Sequence, residues 1–118
     1  MGNLLSRAME KLAHSTDPED SELRQGARKA GCDLIATKQD RDVVTLYGTL
    51  RTVTLQPRSG VSALEAELYD GSGRLLLVWL GRRRIAGIEP GRRLTVHGRL
   101  GERDGETVLF NPRYELSA

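Results

Sequence analysis

The sequence predicts a mainly β fold, a small closed barrel of five strands that follows an N-terminal helical extension. From Asp42 onward, apolar and polar residues alternate with the period of two that is typical of half-buried strands. Turns rich in glycine, or containing proline, separate these stretches at short intervals. One of them, Asp70–Gly73, lies between two apolar segments and contains residues that tolerate positive φ, so it predicts a tight antiparallel hairpin.

Residues 1–40 predict the helical extension. Apolar residues repeat at helical spacing between residues 2 and 14, which predicts a short amphipathic helix. A second helix is expected from Pro18 to about Gly31, because acidic residues occupy its first turn and Ser15, Thr16 or Asp17 can cap it. The next residues, 32–37, predict a lead-in strand. We place the domain boundary after residue 40, with the barrel in residues 41–118.

The first three barrel strands come from residues 42–80. The first strand is long, and Gly48 inside it predicts a bend or a bulge. In the second strand, Glu65 and Glu67 alternate with core residues and are expected on the face that contacts water. The third strand, residues 75–80, is continuously apolar, which predicts that it is covered on both sides.

The last two strands follow a connection that begins and ends with glycine-containing turns. Residues 81–88 are too few for a full helix, and they predict a short helical turn between strands three and four. Strand four is expected at 94–100, and strand five at 107–116 with Val108 and Phe110 in the core. Five strands, the first bent at a glycine, with a helical insert after the third, are typical of an OB-fold Greek-key barrel.

Composition places the chain among water-soluble globular proteins. Its 118 residues suit one domain, and 38% of them are apolar while 29% are charged. No run approaches the ~20 apolar residues of a membrane span, and no secretion signal is recognisable. The single cysteine, Cys32, cannot form an internal disulfide. We therefore expect a cytoplasmic protein of bacterial type without a membrane partner.

The residues that catalysis or metal binding requires do not occur in recognisable patterns. The histidines, His14 and His97, lie in different predicted elements, and together with Cys32 they do not make a metal-binding set. We find neither a glycine-flanked serine elbow nor a phosphate-binding loop between a strand and a helix. The sequence therefore predicts a protein that is not an enzyme, with no catalytic residues, no metal and no cofactor.

Residues 43–116 resemble a known family. They are similar to the nucleic-acid-binding OB-fold of the wedge domain in the branch-migrating helicase RecG and, more distantly, to the anticodon-binding OB domains of aminoacyl-tRNA synthetases. The matching stretches are Leu46–Leu50, Asp70–Gly73, Leu75–Leu80, Pro90–Leu100 and Asn111–Leu116. The chain lacks a Gly-x-x-x-x-Gly-Lys-Ser/Thr loop, so the resemblance implies the accessory domain without the helicase motor.

The resemblance implies a nucleic-acid-binding face on strands two and three, flanked by the loops after strand one and between strands four and five. On such a face aromatic side chains stack on unpaired bases and arginines hold the backbone. The candidate residues are Tyr47, Arg51, Arg58, Tyr69, Trp79, Arg82, Arg83 and Arg103. Two alternatives stay open, since Trp79 lies in a strand that is apolar on both faces and also suits the core, and the arginine run at 82–84 also suits a solvated turn.

The charge of the chain is mildly basic, with a net charge of +2. After residue 40, all twelve basic residues are arginines, which suit phosphate contacts, although GC-rich codons produce the same bias. Glu65 and Glu67 are expected to repel phosphate from the binding face. Two functions therefore stay open. The first is binding of single-stranded or branched DNA or RNA with little sequence specificity; the second is protein interaction or homo-oligomerisation through the barrel and the N-terminal helix.

Overall fold

The computed structural model describes residues 17–58 and 60–117, except for the side chain of Arg58. The amphipathic helix predicted for residues 2–14 lies outside the described residues. The described chain contains an α-helix, a 3-10 helix and six strands: α1 (Pro18–Lys29), the 3-10 helix (Ile35–Thr37), β1 (Val43–Arg58), β2 (Val61–Tyr69), β3 (Arg74–Leu80), β4 (Arg93–Arg103), β5 (Glu106–Phe110) and β6 (Arg113–Leu116).

Helix α1 begins after an N-cap at Asp17, one of the three predicted caps. The Asp17 carboxylate accepts hydrogen bonds from the N–H groups of Glu19 (2.9 Å) and Asp20 (3.2 Å), which would otherwise have no partner within the helix. Leu23 and Ala27 lie on one side of α1 and are fully buried, because this side packs on β1. The predicted second helix is confirmed, and it is docked on the barrel.

The prediction that residues 32–37 form a strand is wrong. The segment makes an isolated bridge at Asp33 and then enters the 3-10 helix. The N–H of Ile35 donates to the carboxylate of Asp70 at 2.8 Å, and the next N–H donates to the hydroxyl of Ser72 at 3.1 Å. Side chains of the β2–β3 turn therefore take the backbone donors that a strand would present to a neighbouring strand.

The β2–β3 turn is held together by Asp70, which is fully buried. Its carboxylate accepts hydrogen bonds from the N–H (2.8 Å) and the hydroxyl (2.7 Å) of Ser72 and from the N–H of Gly73 (3.1 Å). Gly71 takes a φ of 86°, a left-handed conformation that glycine adopts without a steric penalty. The predicted hairpin is confirmed, and the same aspartate also fixes the 3-10 helix.

The strands close into a barrel in the order β1-β2-β3-β5-β4-β1. Neighbouring strands are antiparallel except β3 and β5, which are parallel. Strand β1 closes the ring because its first part, residues 43–49, pairs with β4 while residues 49–58 pair with β2. The predicted five-membered barrel is confirmed.

Strand β1 serves both neighbours because it is irregular in the middle. Its register against β2 shifts between Leu50 and Thr52, which makes Arg51 the extra residue of a β-bulge. Just before the bulge, a Cβ on Gly48 would clash with the backbone carbonyl oxygen of Tyr69. The glycine therefore allows β1 and β2 to approach closely at the point where the strand bends.

The predicted fifth strand is divided into β5 and β6. Asn111 adopts a φ of 50° and is followed by Pro112, which has no N–H to donate, so the ladder is interrupted there. Strand β5 pairs with β3 and with the end of β4, and β6 continues along the first part of β4. The ring therefore keeps five positions although the described chain has six strands.

The connection between β3 and β4 consists of turns where the sequence predicts a short helical turn. The N–H of Ile88 donates to the carbonyl of Ile85 at 3.1 Å, and the N–H of Arg92 donates to the carbonyl of Glu89 at 3.2 Å. Residues 81–92, all described, contain no helix, and the 3-10 helix lies before β1 instead. Ile85 and Ile88 are buried in the barrel core.

Candidate nucleic-acid interface

The barrel has a partly apolar surface on the outward side of β2, β3 and β5. The strand register places Glu65, Val78 and Phe110 in one row across the three strands, and side chains two positions away along each strand share this side. We call this surface the outer face, and its apolar members are Val61, Ala63, Leu76, Val78, Leu80, Val108 and Phe110. Among them, Val61, Leu80 and Phe110 are 52%, 49% and 45% exposed.

An ion pair crosses the outer face between Arg103 and Glu65. The two terminal nitrogens of Arg103 each lie 3.2 Å from a carboxylate oxygen of Glu65. Arg103 comes from β4 and Glu65 from β2, and both β5 and β3 lie between these strands in the sheet. Glu65 is only 7% exposed. The expectation that Glu65 faces water is wrong, because the arginine covers and neutralises it.

The charges at the β4–β5 hairpin end of the outer face are also paired. Arg74 lies 3.0 Å from Glu67 and 3.5 Å from Glu106, measured from its terminal nitrogens to the carboxylate oxygens. Glu67 is half-buried, and its charge is balanced by Arg74. Together with the Arg103–Glu65 pair, these contacts leave this end of the outer face close to electrically neutral.

The opposite end of the outer face carries exposed positive charge. The N–H of Gly81 donates to the carbonyl of Ser62 at 2.8 Å, which fixes the start of the β3–β4 connection beside the start of β2. Arg82, Arg83 and Arg84 follow at once and are exposed. No carboxylate in the described part of the chain pairs with them. The arginine run therefore borders the end of the face that contains Val61 and Leu80.

Three other candidate residues, Tyr47, Arg51 and Tyr69, lie where α1 docks. Tyr69 is buried and donates a hydrogen bond of 2.5 Å to the carboxylate of Asp20. The guanidinium of Arg51 stacks over the Tyr69 ring, 3.6 Å from its centroid, and lies 3.6 Å from the carboxylate of Glu19. Burial, followed by the hydrogen bond to Asp20, raises the pKa of Tyr69 to about 12.

Tyr47 contacts α1 along a different part of the helix. A Cβ on Gly26 would lie 2.6 Å from Cε1 of Tyr47, so glycine lets the helix approach the ring. The Tyr47 side chain also hydrogen-bonds to Arg93. Tyr47, like Tyr69, is therefore in contact with α1.

Trp79, another candidate residue, belongs to the core. Its ring is 5% exposed, and its Nε1–H donates to the carbonyl of Pro112 at 3.2 Å. The ring of Tyr114 packs edge-on against it, with 5.8 Å between the ring centroids. A buried indole with a satisfied donor cannot stack on a base, so the alternative in which Trp79 is a core residue is correct.

Sequence reasoning missed Phe110, the one exposed aromatic ring among the described outer-face residues. The prediction that Phe110 lies in the core is wrong, because Leu109 points inward and its neighbours point outward. Val108 is buried, but in the small cluster on the outer face with Ala63 and Val78. Three successive apolar residues give no sign of which ones face inward, so strand pairing alone decides it.

Comparisons with solved structures identify the architecture. The chain is similar to RecG bound to a three-way DNA junction (TM-score 0.55, 20% identity), with 66% of this chain and 11% of the RecG chain covered. It is also similar to the OB domain of Ta0387 from Thermoplasma acidophilum (TM-score 0.51, 14% identity), with 64% and 74% covered. The barrel is an OB-fold. Yeast Stn1 and Ten1 provide a further OB-like neighbour (TM-score 0.53, 11% identity), covering 92% of this chain and 69% of that one.

These likenesses establish the OB-fold alone, because all three are below 25% identity. The chain spans only about a tenth of the RecG chain that it matches. No protein-family profile and no curated protein sequence matches it. The ligand of this OB-fold therefore has to be argued from its own residues.

In residues 17–58 and 60–117, histidine, cysteine, aspartate and glutamate side chains form no group of three that could hold a metal ion. The same part of the chain has no helix with the length and apolar content needed to cross a membrane.

Proposed function

We propose that this OB-fold is a non-enzymatic, cytoplasmic nucleic-acid-binding protein that holds single-stranded or branched DNA or RNA with little sequence specificity. One observation carries the proposal. The exposed ring of Phe110 and the exposed Leu80 share an outer face that ends at the exposed arginines 82–84, which pair with no carboxylate among the described residues. An apolar surface beside exposed arginines suits a single strand, whose bases are apolar on their faces and whose backbone is anionic.

The contacts follow from the chemistry of each part. Unpaired bases stack on Phe110 and pack against Leu80 and Val61, because the faces of bases lose water favourably against apolar surface. The arginines engage phosphates and release counterions, which makes the affinity depend on salt. Apolar groups cannot read hydrogen-bonding patterns on base edges, so little sequence specificity is expected.

The affinity of this surface is expected to be low. Arg103 and Arg74 are already paired with glutamates, so the β4–β5 end of the outer face adds little attraction for phosphate. On the outer face, a nucleic-acid strand therefore gains its electrostatic stabilisation at the arginine end. RecG, which is seen bound to a three-way DNA junction, supports the branched alternative as a substrate class worth testing.

The test is fluorescence anisotropy of labelled single-stranded and three-way-junction oligonucleotides at about 50 and 200 mM salt. We expect the variant R82A/R83A/R84A to reduce the slope of log affinity against log salt by about two. The control R28A/K29A/R99A removes three other exposed cations and has the same net charge. It should bind like the wild type. Equal losses in both triple variants would mean that only net charge matters.

A second pair of variants tests the apolar part of the outer face. F110A should weaken binding about five- to hundredfold, because one base loses its stacking partner. L55A is its control, since Leu55 is 44% exposed but lies on the inward side of β1. No binding of either oligonucleotide at the lower salt would refute the proposal, and the exposed apolar residues would then be assigned to a protein partner.

A further inference from the structure

A second surface, distinct from the outer face, lies where β1 meets the start of β4. A shallow cleft there is lined by Tyr47, Gly91, Arg92, Arg93 and Ser117. Backbone hydrogen bonds connect β1 to the residues before β4 at this cleft. The N–H of Gly91 donates to the carbonyl of Leu50 at 2.7 Å, and the N–H of Leu50 donates to the carbonyl of Arg92 at 2.9 Å. The cleft therefore lies at the hydrogen-bonded junction between β1 and the start of β4.

The cleft is lined by two guanidinium groups and a phenol. Arg93 hydrogen-bonds to Tyr47 and lies 2.7 Å from the carboxylate of Glu22 on α1. Arg92 donates from Nη2 to the carbonyl of Ser117 at 3.1 Å, while its Nε is buried without an acceptor among the described residues. Two guanidinium groups side by side, each with several N–H donors, suit the oxygens of a phosphate.

Two carboxylates of α1 pair with arginines here, Glu22 with Arg93 of the cleft and Glu19 with Arg51, which follows Leu50 at the edge of the cleft. The side chains of Glu22 and Glu19 are 63% and 55% exposed, and Glu19 pairs with Arg51 at 3.6 Å. Exposed ion pairs contribute little to stability, because water screens them and ordering the side chains costs entropy. Phosphate oxygens can therefore replace both carboxylates without loosening the fold.

Helix α1 does not depend on those two pairs for docking. Leu23 and Ala27 are fully buried beneath it, Asp20 accepts the hydrogen bond from Tyr69, and Arg24 donates to the carbonyl of Gly71 at 2.9 Å. Removing the charges of Glu19 and Glu22 should consequently leave α1 in place. The charges opposite the arginines can therefore be removed without changing how α1 packs on the barrel.

We propose that the cleft is a second phosphate-binding surface, in which Arg92, Arg93 and Tyr47, together with Arg51, bind the phosphodiester backbone of a nucleic acid in place of Glu19 and Glu22. The proposal rests on the proposed function and adds a second contact to it. The cleft lies at β1 and the start of β4, whereas the outer face lies on β2, β3 and β5. The two surfaces therefore suit two segments of one bent nucleic-acid strand or two arms of a branched molecule. The two glutamates then act as competitors that weaken binding.

The experiment compares two variants with the same gain of charge. E19Q/E22Q frees the cleft arginines, whereas D40N/E102Q neutralises two exposed acids elsewhere. For labelled single-stranded and three-way-junction DNA at about 50 mM salt, we expect E19Q/E22Q to bind about tenfold more tightly than D40N/E102Q, with a salt slope that is steeper by about one. Adding R93A should remove that gain. Circular dichroism and urea unfolding check that α1 remains docked.

The outcomes separate this inference from the proposed function. Equal affinities of E19Q/E22Q and D40N/E102Q, or a gain that survives R93A, would overturn the second surface. If the R82A/R83A/R84A variant still loses binding in that case, the outer face stands alone as the interface. Saturable binding of inorganic phosphate at the cleft, without any effect on oligonucleotide affinity, would also overturn the inference, because the cleft would then be a site for a free anion.

Discussion

Tyr69 and Asp20 are 49 residues apart in the chain, and the phenol of Tyr69 donates a hydrogen bond of 2.5 Å to the Asp20 carboxylate between the barrel and α1. Both residues are buried. The bond links the N-terminal extension to the barrel and uses a tyrosine that the sequence assigns to nucleic-acid binding. The domain boundary after residue 40 stays a prediction.

Replacing Tyr69 by phenylalanine tests the strength of this link. Y69F keeps the ring and its contact with Arg51 but removes the donor to a buried carboxylate, so we expect a loss of about 1.5–3 kcal/mol in the free energy of unfolding. Urea denaturation measures it. Y114F is the control, because Tyr114 is 37% exposed, and its change should stay below about 0.5 kcal/mol. Similar losses in both variants would contradict a special role for the Tyr69 hydroxyl.

The raised pKa of Tyr69 predicts how stability changes at alkaline pH. An unfolded tyrosine ionises near pH 10, whereas Tyr69 in the folded protein stays neutral until about pH 12. The contribution of Tyr69 is therefore complete below about pH 10 and is lost as the pH rises from there to about 12. Ultraviolet absorbance of the phenolate should show a late titration step in the native protein. A spectrum of Y69F that still contains this step would assign it to another tyrosine.

The burial of Trp79 predicts its fluorescence. Acrylamide should quench it weakly in the folded protein, and saturating oligonucleotide should leave its emission unchanged, because the indole is 5% exposed and its N–H is bonded to Pro112. W79A should cost about 3–5 kcal/mol in the free energy of unfolding. Strong quenching by an oligonucleotide, with the protein still folded, would place Trp79 in the interface after all.

Breaking the Arg103–Glu65 ion pair should lower the free energy of unfolding but should not remove any contact with phosphate. R103A leaves a nearly buried carboxylate without its bidentate partner, which should cost about 3 kcal/mol in urea denaturation. The salt dependence of oligonucleotide binding should stay the same. R99A is the control, since Arg99 is exposed on the same side of β4 and should change stability little. A lower salt slope in folded R103A would show that Arg103 contacts phosphate.

The close approach at Gly48 predicts that even a methyl group is not tolerated. G48A would drive a Cβ into the carbonyl oxygen of Tyr69, so β1 and β2 have to separate at a cost of about 2 kcal/mol or more. Thermal unfolding measures this cost. At Gly101 a Cβ has room, with its nearest atom at 3.8 Å, and G101A should be much milder. Equal shifts in melting temperature would mean that loss of glycine in a strand, not this contact, is responsible.

The predicted strand five shows what local sequence patterns can and cannot predict. The alternation of β2 and the turn at Asp70–Gly73 could be predicted, because each depends on residues that are close in sequence. In the run from Val108 to Phe110 every residue is apolar, so the pattern allows either side to face inward. The parallel pairing with β3 and the antiparallel pairing with β4 turn Leu109 inward and leave Phe110 on the outer face.

The positions of the candidate site residues could not be predicted for the same reason, because local sequence patterns do not show which side chains meet in the folded chain. The sequence provides the residue types, but the structure distributes them over four places: Tyr47, Arg51 and Tyr69 at α1, Trp79 in the core, Arg82–Arg84 at one end of the outer face and Arg103 on Glu65. Arg58 lies at the end of β1, and its side chain is outside the described part. Nothing near Tyr69 in sequence announces a contact with Asp20, because the two belong to elements that meet only after the barrel closes.

The sequence by itself determined the OB-fold class, the helix α1 and the positions of the first four barrel strands. Periodicity and turn residues act over a few positions, and the closure of five such strands allows few arrangements. The tertiary structure decided which side chains are available to a ligand. Glu65 is buried rather than wet because Arg103, 38 residues later, reaches it across two strands. Charge pairing and burial are relations between distant residues, so they exist only once the chain has folded.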